Sequence, residues 1–415
     1  MSKKAVPFEL ELAEVQQILK NEFAGACWRG TKGPTPITPD DEVYVSLASF
    51  TDHRIMCPAS HLVDVVVSAA DGEVRDDGTF IGPESAVTRV VPVNTRARTL
   101  CEGASIHSLD DPYLMHESDG RRIWLDHGLT ELALHYSARG IAHELFPETP
   151  GDWMFLCVSG KFDPEELDGV FATYLYSLEE SQNIGFVVER FPELSEEEYL
   201  ELWPHDETIR GIGELPLGPL LSPRLKEVLG LYLEAAALGP PMFQILGYTR
   251  VVEYVSVVVN ATLKRETDKV VAEIVDAHIR SRLADLVRSR EAKDPSDHDL
   301  LAWAIGVVCD PVALAPVAPK CVGELRAVTP ENVAERRARV LNQLSLVASA
   351  TRNEIAHGKA NYTRKGNECP VDQYDQFAAL MRLVAQQAIH WLAVQPPELT
   401  APFVLPKSAN LSARS

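Results

Sequence analysis

Near the end of a long amphipathic stretch the chain reads Arg352-Asn353-Glu354-Ile355-Ala356-His357-Gly358. These residues could do chemistry on a phosphodiester without a metal. Arginine stays charged at any physiological pH and grips phosphate oxygens through two parallel N–H donors. Histidine titrates close enough to neutrality to take a proton from one oxygen and return it to another. Asn353, between them, could orient either the phosphate or the imidazole. The spacing is not that of metal ligands, so no cofactor is expected.

The element that must position them is a helix. Thr329-Pro330-Glu331 supplies a cap, a first-turn proline and a first-turn acid, and His357-Gly358 supplies a last turn and a stop, so a helix is predicted over 330–357. Its expected core stripe is Val333, Val340, Leu344, Val347 and Ile355. An Arg-x4-His spacing alone carries little weight, because Arg122 and His127 repeat it. There, Ile123-Trp124-Leu125 follows an Asp119-Gly120 turn and reads as a strand. A last-turn histidine also complements a helix dipole without any further role. On an ideal helix, five residues place Arg352 and His357 about 140° apart. Either the helix loosens at 356–358, or the same segment of a second subunit completes the site.

Arg352, Asn353 and His357, late on a long helix among other helices, resemble the HEPN superfamily, whose nucleases carry R-x4-6-H on a helical bundle. The resemblance covers residues 224–395. It implies a metal-independent endoribonuclease that cleaves RNA, tRNA being one such substrate, by attack of the 2′-hydroxyl, and that works as a homodimer through the HEPN bundle. It also implies a place in bacterial antiviral defence, abortive infection or a toxin system. Arg352, His357 and Asn353 then become catalytic. Lys359, Arg364 and Lys365, just beyond the helix, become candidate RNA-binding cations. The chain departs from HEPN toxins that are modified on a tyrosine two places after the histidine. Lys359 stands there, and the nearest tyrosine is Tyr362.

Composition sets the frame. The chain has 415 residues and a net charge of −21, with the apolar and charged fractions of a globular protein. The charge is uneven: residues 1–222 hold 39 acidic and 16 basic residues (−23), whereas 223–415 come to +2. Broad nucleic-acid binding needs a basic surface, so RNA would be handled only at a restricted site. The acidic half suits shielding, or docking of a regulatory partner or phage-derived trigger. Seven cysteines are scattered without a C-x-x-C pair, as expected of reduced thiols in a cytoplasmic protein. No stretch reads as a signal peptide, and Glu234, Gly239, Pro240 and Pro241 interrupt the most apolar run, Leu229 to Tyr248, so no membrane segment is expected.

Gly-Ile-Gly-Glu-Leu-Pro-Leu-Gly-Pro-Leu-Leu-Ser-Pro, residues 211–223, suits neither helix nor central strand and marks a linker. The expectation is therefore two domains: an N-terminal acidic α+β domain over 1–210, then a C-terminal all-α, HEPN-like helical bundle over 224–395 and a flexible tail over 396–415. In the first, strands are predicted at Val43–Leu47, Leu62–Val67, Val87–Val93 and Ile184–Val188, and helices at about 8–23, 129–145 and 163–180. In the second, helices are predicted at about 224–237, 242–263, 266–292, 297–309, 330–357 and 371–394, with a proline-rich loop from Pro311 to Pro330.

Other constellations are weaker. His53, Cys57 and His61 have helical spacing, but Pro58 interrupts it, and His127, His135 and His143 lie too far apart along the chain to share a metal. Ser195-Glu196-Glu197-Glu198 reads as a capping box rather than an acid site. No G-x-S-x-G, phosphate-loop or dinucleotide fingerprint occurs. The rival expectation is a non-catalytic HEPN-like oligomerisation or ligand-binding module, with the N-terminal domain carrying the function. A metal-dependent nuclease in the acidic half is a third.

Overall fold

A computed structural model describes residues 8–23, 26–30, 36–47, 55–104, 113–118, 120–138, 154–189, 221–273, 296–357 and 366–396. The chain divides into two compact units, 1–220 and 221–415. The first is α+β and the second is helical.

In the first unit, α1 (Phe8–Glu22) buries Leu12, Val15 and Leu19 at helical spacing. Strands β1 (Cys27–Gly30), β2 (Glu42–Ser46) and β3 (Ile55–Pro58) form an antiparallel three-stranded sheet, in register through pairs such as Val43 with Cys57. Val43 and Val45 alternate inward along β2, as a half-buried strand requires. The chain passes from Pro58 directly into α2 (Ala59–Ala70).

The stretch Leu62–Val67, predicted as a strand, lies inside this helix. Its β-branched residues favour a strand locally. The wider set Ala59, Leu62, Val65, Val66 and Ala69 recurs every three to four residues, and burying that stripe decides the outcome.

The second sheet has seven strands, all paired antiparallel: β4 (Glu73–Val74), β5 (Phe80–Ile81), β6 (Ser85–Pro92), β7 (Tyr113–Ser118), β8 (Arg121–Asp126), β9 (Met154–Gly160) and β10 (Phe186–Val188). Their order is β4-β5-β6-β9-β8-β7, with β10 pairing β6. β6 is buried from Ala86 to Val91, and β9 from Met154 to Val158, the mark of central strands covered on both faces. The other described helices of the unit are α3 (Thr95–Ala104), α4 (Glu131–Ala138) and α5 (Leu167–Gln182). One core joins α1, α2 and α4 to the small sheet and to β5, β6 and β9. α5 ends at Asn183, whose left-handed conformation (φ 55°) lets its N–H reach back to the last turn.

In the helical unit, α6 (Lys226–Ala237) leads into α7 (Pro241–Glu273), a 33-residue helix that packs against every other long helix of the unit. α7 crosses the break predicted at 263–266, because Ala261-Thr262-Leu263-Lys264-Arg265-Glu266 contains no helix breaker. The remainder of the predicted 266–292 helix lies outside the described residues. Val251, Val252, Val255, Val258 and Val259 are all buried, so packing overrides their local strand preference. Gly247 allows close contact with α6, since a Cβ there would meet the Cβ of Ala235 at 2.5 Å. The Tyr232 hydroxyl, on α6, accepts from Arg382 Nε at 3.2 Å and Gln386 Nε2 at 2.9 Å.

The next helix, α8 (Asp297–Val308), opens on a capping box between Ser296 and Asp299. Pro311 to Pro330, predicted as a loop, instead folds into short turns, among them α9 (Pro311–Leu314) and α10 (Gly323–Arg326). Asp310-Pro311 is itself a helix start: the Asp310 carboxylate accepts from Val312 N–H at 2.9 Å. α11 (Val333–His357) begins three residues later than predicted, after a turn over 330–332, and α12 (Tyr374–Ala393) closes the unit.

By length and composition α7 could cross a membrane over Pro241–Thr267, although no such stretch was expected. Half of its apolar window is buried inside the unit, as in the central helix of a bundle.

Candidate functional site

Arg352 and Asn353 sit in the last two turns of α11, directly after Thr351, which is fully buried. Val340, Leu344 and Val347 form the buried stripe of this helix together with Leu341 and Ala348, whereas Val333 and Ile355 are only half-buried. Thr351 Oγ1 accepts the backbone N–H of Cys369 at 2.8 Å, which ties the chain after the helix back to the helix end.

The guanidinium of Arg352 is partnered. Its Nε lies 3.2 Å from Oε1 of Glu253 on α7, and both side chains are about 30% exposed. Its Nη1 donates to Asn353 Oδ1 at 3.0 Å. Arg352 is thus braced by its neighbour in sequence and by a carboxylate from the central helix. Nη2 has no partner among the described residues. Beside this pair, the Tyr254 hydroxyl donates to Glu227 Oε2 at 2.8 Å, and burial, followed by that carboxylate, raises the phenol above its ordinary value.

His357 is the last residue of α11, so the helix runs unbroken from Arg352 through the position of the histidine. The His357 side chain lies outside the described residues, as do Lys359, Arg364 and Lys365.

Sequence reasoning missed Glu253. The signal was present: it is the single acid between Pro241 and Leu263, in a stretch rich in valine. Its partner, however, is about 100 residues away and set by tertiary packing.

A second feature near this helix end is a thiol pair. Cys321 and Cys369 have their sulfurs 3.4 Å apart, with Cys369 buried and Cys321 partly exposed. The hydrogen bond between them lowers the Cys321 thiol below its ordinary value and, with burial, raises Cys369.

In the first unit, Arg122 lies on β8 and His127 just past it, as expected of the second Arg-x4-His match. Cys57 is on β3 and His61 on α2, where His61 Nε2 is 2.9 Å from the Leu129 carbonyl. His135 Nε2 is 3.0 Å from the Ala69 carbonyl, and its ring packs between Phe23 and Phe80. His53, His143 and Ser195 to Glu198 lie outside the described residues. Among the described residues, no three His, Cys, Asp or Glu side chains are grouped to hold a metal ion.

No protein-family model, no curated protein and no solved structure matches this chain.

Proposed function

We propose that this chain is a HEPN-like, metal-independent endoribonuclease, active as a homodimer in the cytosol and serving bacterial antiviral defence. One observation carries the reading: Arg352 is held by Glu253 and Asn353 at the end of a helix that continues unbroken to His357. A straight helix keeps the two positions about 140° apart, which supports a site shared between two copies rather than one built within a single chain. Leu346 adds to this. It is 41% exposed, and its position on α11 falls within about 20° of those of Asn353 and His357, so the face bearing the histidine also offers an apolar contact.

In this mechanism the 2′-hydroxyl of one nucleotide attacks its own 3′-phosphate. His357 takes the hydroxyl proton or protonates the leaving 5′-oxygen, Arg352 stabilises the charge that builds on the phosphoryl oxygens, and Asn353 holds the arginine fork in plane. The products are a 2′,3′-cyclic phosphate and a 5′-hydroxyl, and DNA, lacking the 2′-hydroxyl, is not cut.

The test is incubation of total RNA and tRNA with purified protein in excess chelator, wild type beside Arg352→Ala and His357→Ala, with product ends identified. Cleavage by wild type alone, leaving cyclic phosphate ends, supports the reading. Equal behaviour of all three, in vitro and during phage infection, would overturn it. One observation favours the second reading, a non-catalytic helical module beside a working N-terminal unit. The Glu253 carboxylate neutralises the arginine that a phosphate would need.

A further inference from the structure

Cys321 and Cys369 are 48 residues apart in sequence, yet their sulfurs lie 3.4 Å apart. The backbone on each side is held independently of the thiols. Cys321 sits in a 3₁₀ turn (Lys320–Val322), and its N–H donates to Gln373 Oε1 at 2.9 Å. Gln373 belongs to a second 3₁₀ turn (Val371–Gln373), which begins two residues after Cys369. The Cys369 N–H donates in turn to Thr351 Oγ1 on α11 at 2.8 Å.

A disulfide forms only where the two backbones already stand within reach, and its sulfurs are about 2 Å apart. Closing the present gap asks for a side-chain shift on the order of 1 Å.

The two thiols are unlike. Cys321 is partly exposed, whereas Cys369 is buried. The hydrogen bond between them, with backbone N–H groups of the turn, holds the Cys321 thiol below its ordinary value against burial and the nearby Asp372. Cys369 is pushed up by the same hydrogen bond and by burial. An accessible thiol that ionises readily, beside a protected one, suits an attacking and a resolving cysteine.

We propose that Cys321 and Cys369 form a reversible disulfide in response to a hydroperoxide, and that this bond fastens the segment carrying α11. In the first step the Cys321 thiolate attacks one peroxide oxygen. An S–O bond forms, the O–O bond breaks, and the other oxygen takes a proton and leaves as water or an alcohol. Cys321 is then a sulfenic acid. In the second step the Cys369 sulfur attacks that sulfur. The S–S bond forms, the S–O bond breaks, and the hydroxyl leaves with the Cys369 proton as water. Two electrons and two protons have passed from the thiols to the peroxide, and a dithiol reverses the change. The loop so closed contains the whole of α11, Arg352 included, and cross-linking it restricts the unfolded chain. The proposal stands apart from the nuclease reading, because the bond is read by mass and without RNA.

The experiment treats folded, reduced, full-length protein with hydrogen peroxide, blocks the remaining thiols with iodoacetamide and maps the peptides by mass spectrometry. The expected result is a linked Cys321–Cys369 peptide that dithiothreitol abolishes, formed at least about tenfold faster than the exposed Cys27 is oxidised. The urea midpoint should rise with the bond and fall back with dithiothreitol. Cys369→Ser should leave Cys321 as a sulfenic acid that dimedone traps. A link that forms only in urea, oxidation of Cys321 no faster than that of Cys27, or an unchanged midpoint overturns the proposal. Should Cys369→Ser fail to fold, the peptide map and midpoint of the wild type decide.

Discussion

Arg352 and Glu253, about 100 residues apart in sequence, face each other at 3.2 Å across two helices of the C-terminal unit. A half-exposed ion pair contributes little to stability, so its significance lies in where it holds the guanidinium. With Nε engaged by Glu253 and Nη1 by Asn353, the orientation of the fork is fixed by the protein itself.

Replacement of Glu253 should therefore affect turnover more than folding. Glu253→Ala is expected to lower kcat for RNA cleavage about tenfold, while stability to urea changes by less than about 1 kcal/mol. Glu253→Gln, which keeps an acceptor, should lose less. Kinetics and unfolding measured on the same preparations check this.

Leu346 tests the shared site. Leu346→Glu places a charge on an exposed apolar position of α11 and, on the proposed dimeric site, should give a monomer that does not cleave RNA. Light scattering beside the cleavage assay provides the comparison; a variant that stays dimeric and active would remove this face from the interface.

Thiol chemistry makes a third case. Cys27 is exposed and Cys321 partly exposed, whereas Cys57 and Cys309 are pushed up to about 12 by burial, and Cys157 is also raised. Alkylation of native protein at pH 8, read by peptide mass spectrometry, should label Cys27 and Cys321 and spare Cys57, Cys157 and Cys309. The sign for Cys321 follows from its lowered value: the folded state favours the thiolate, so its labelling rate should rise with pH through a midpoint below 9.0 and level off above it. A Cys369→Ala variant removes the hydrogen bond and should move that midpoint upward.

Gly247 should tolerate no side chain. A Cβ there falls 2.5 Å from that of Ala235, so Gly247→Ala must push α6 and α7 apart, at a cost of about 1–3 kcal/mol. Chemical denaturation of the variant measures it.

Much of this architecture was legible from periodicity. α12 follows an uninterrupted 3.6-residue pattern and lies close to its expected place, and β2 and β6 overlap their predicted runs, beginning one and two residues earlier. The misreading of Leu62–Val67 came from weighing residue type over a short window, when the deciding stripe extends to Ala59 and Ala69. Pro311–Pro330 has the proline content of a loop, yet after Asp310 a proline begins a helix. At the candidate site, the local partner Asn353 was readable from adjacency. Glu253 was not, because only the packing of α7 against α11 brings it to Arg352.

The hydrogen bond from Cys369 N–H to Thr351 Oγ1 returns the chain to the helix it has just left. The excursion of the chain after His357 is thus anchored, at its return, to the residue just before Arg352. Lengthening such an excursion costs little in closure entropy, and its anchors would not register a change in its composition.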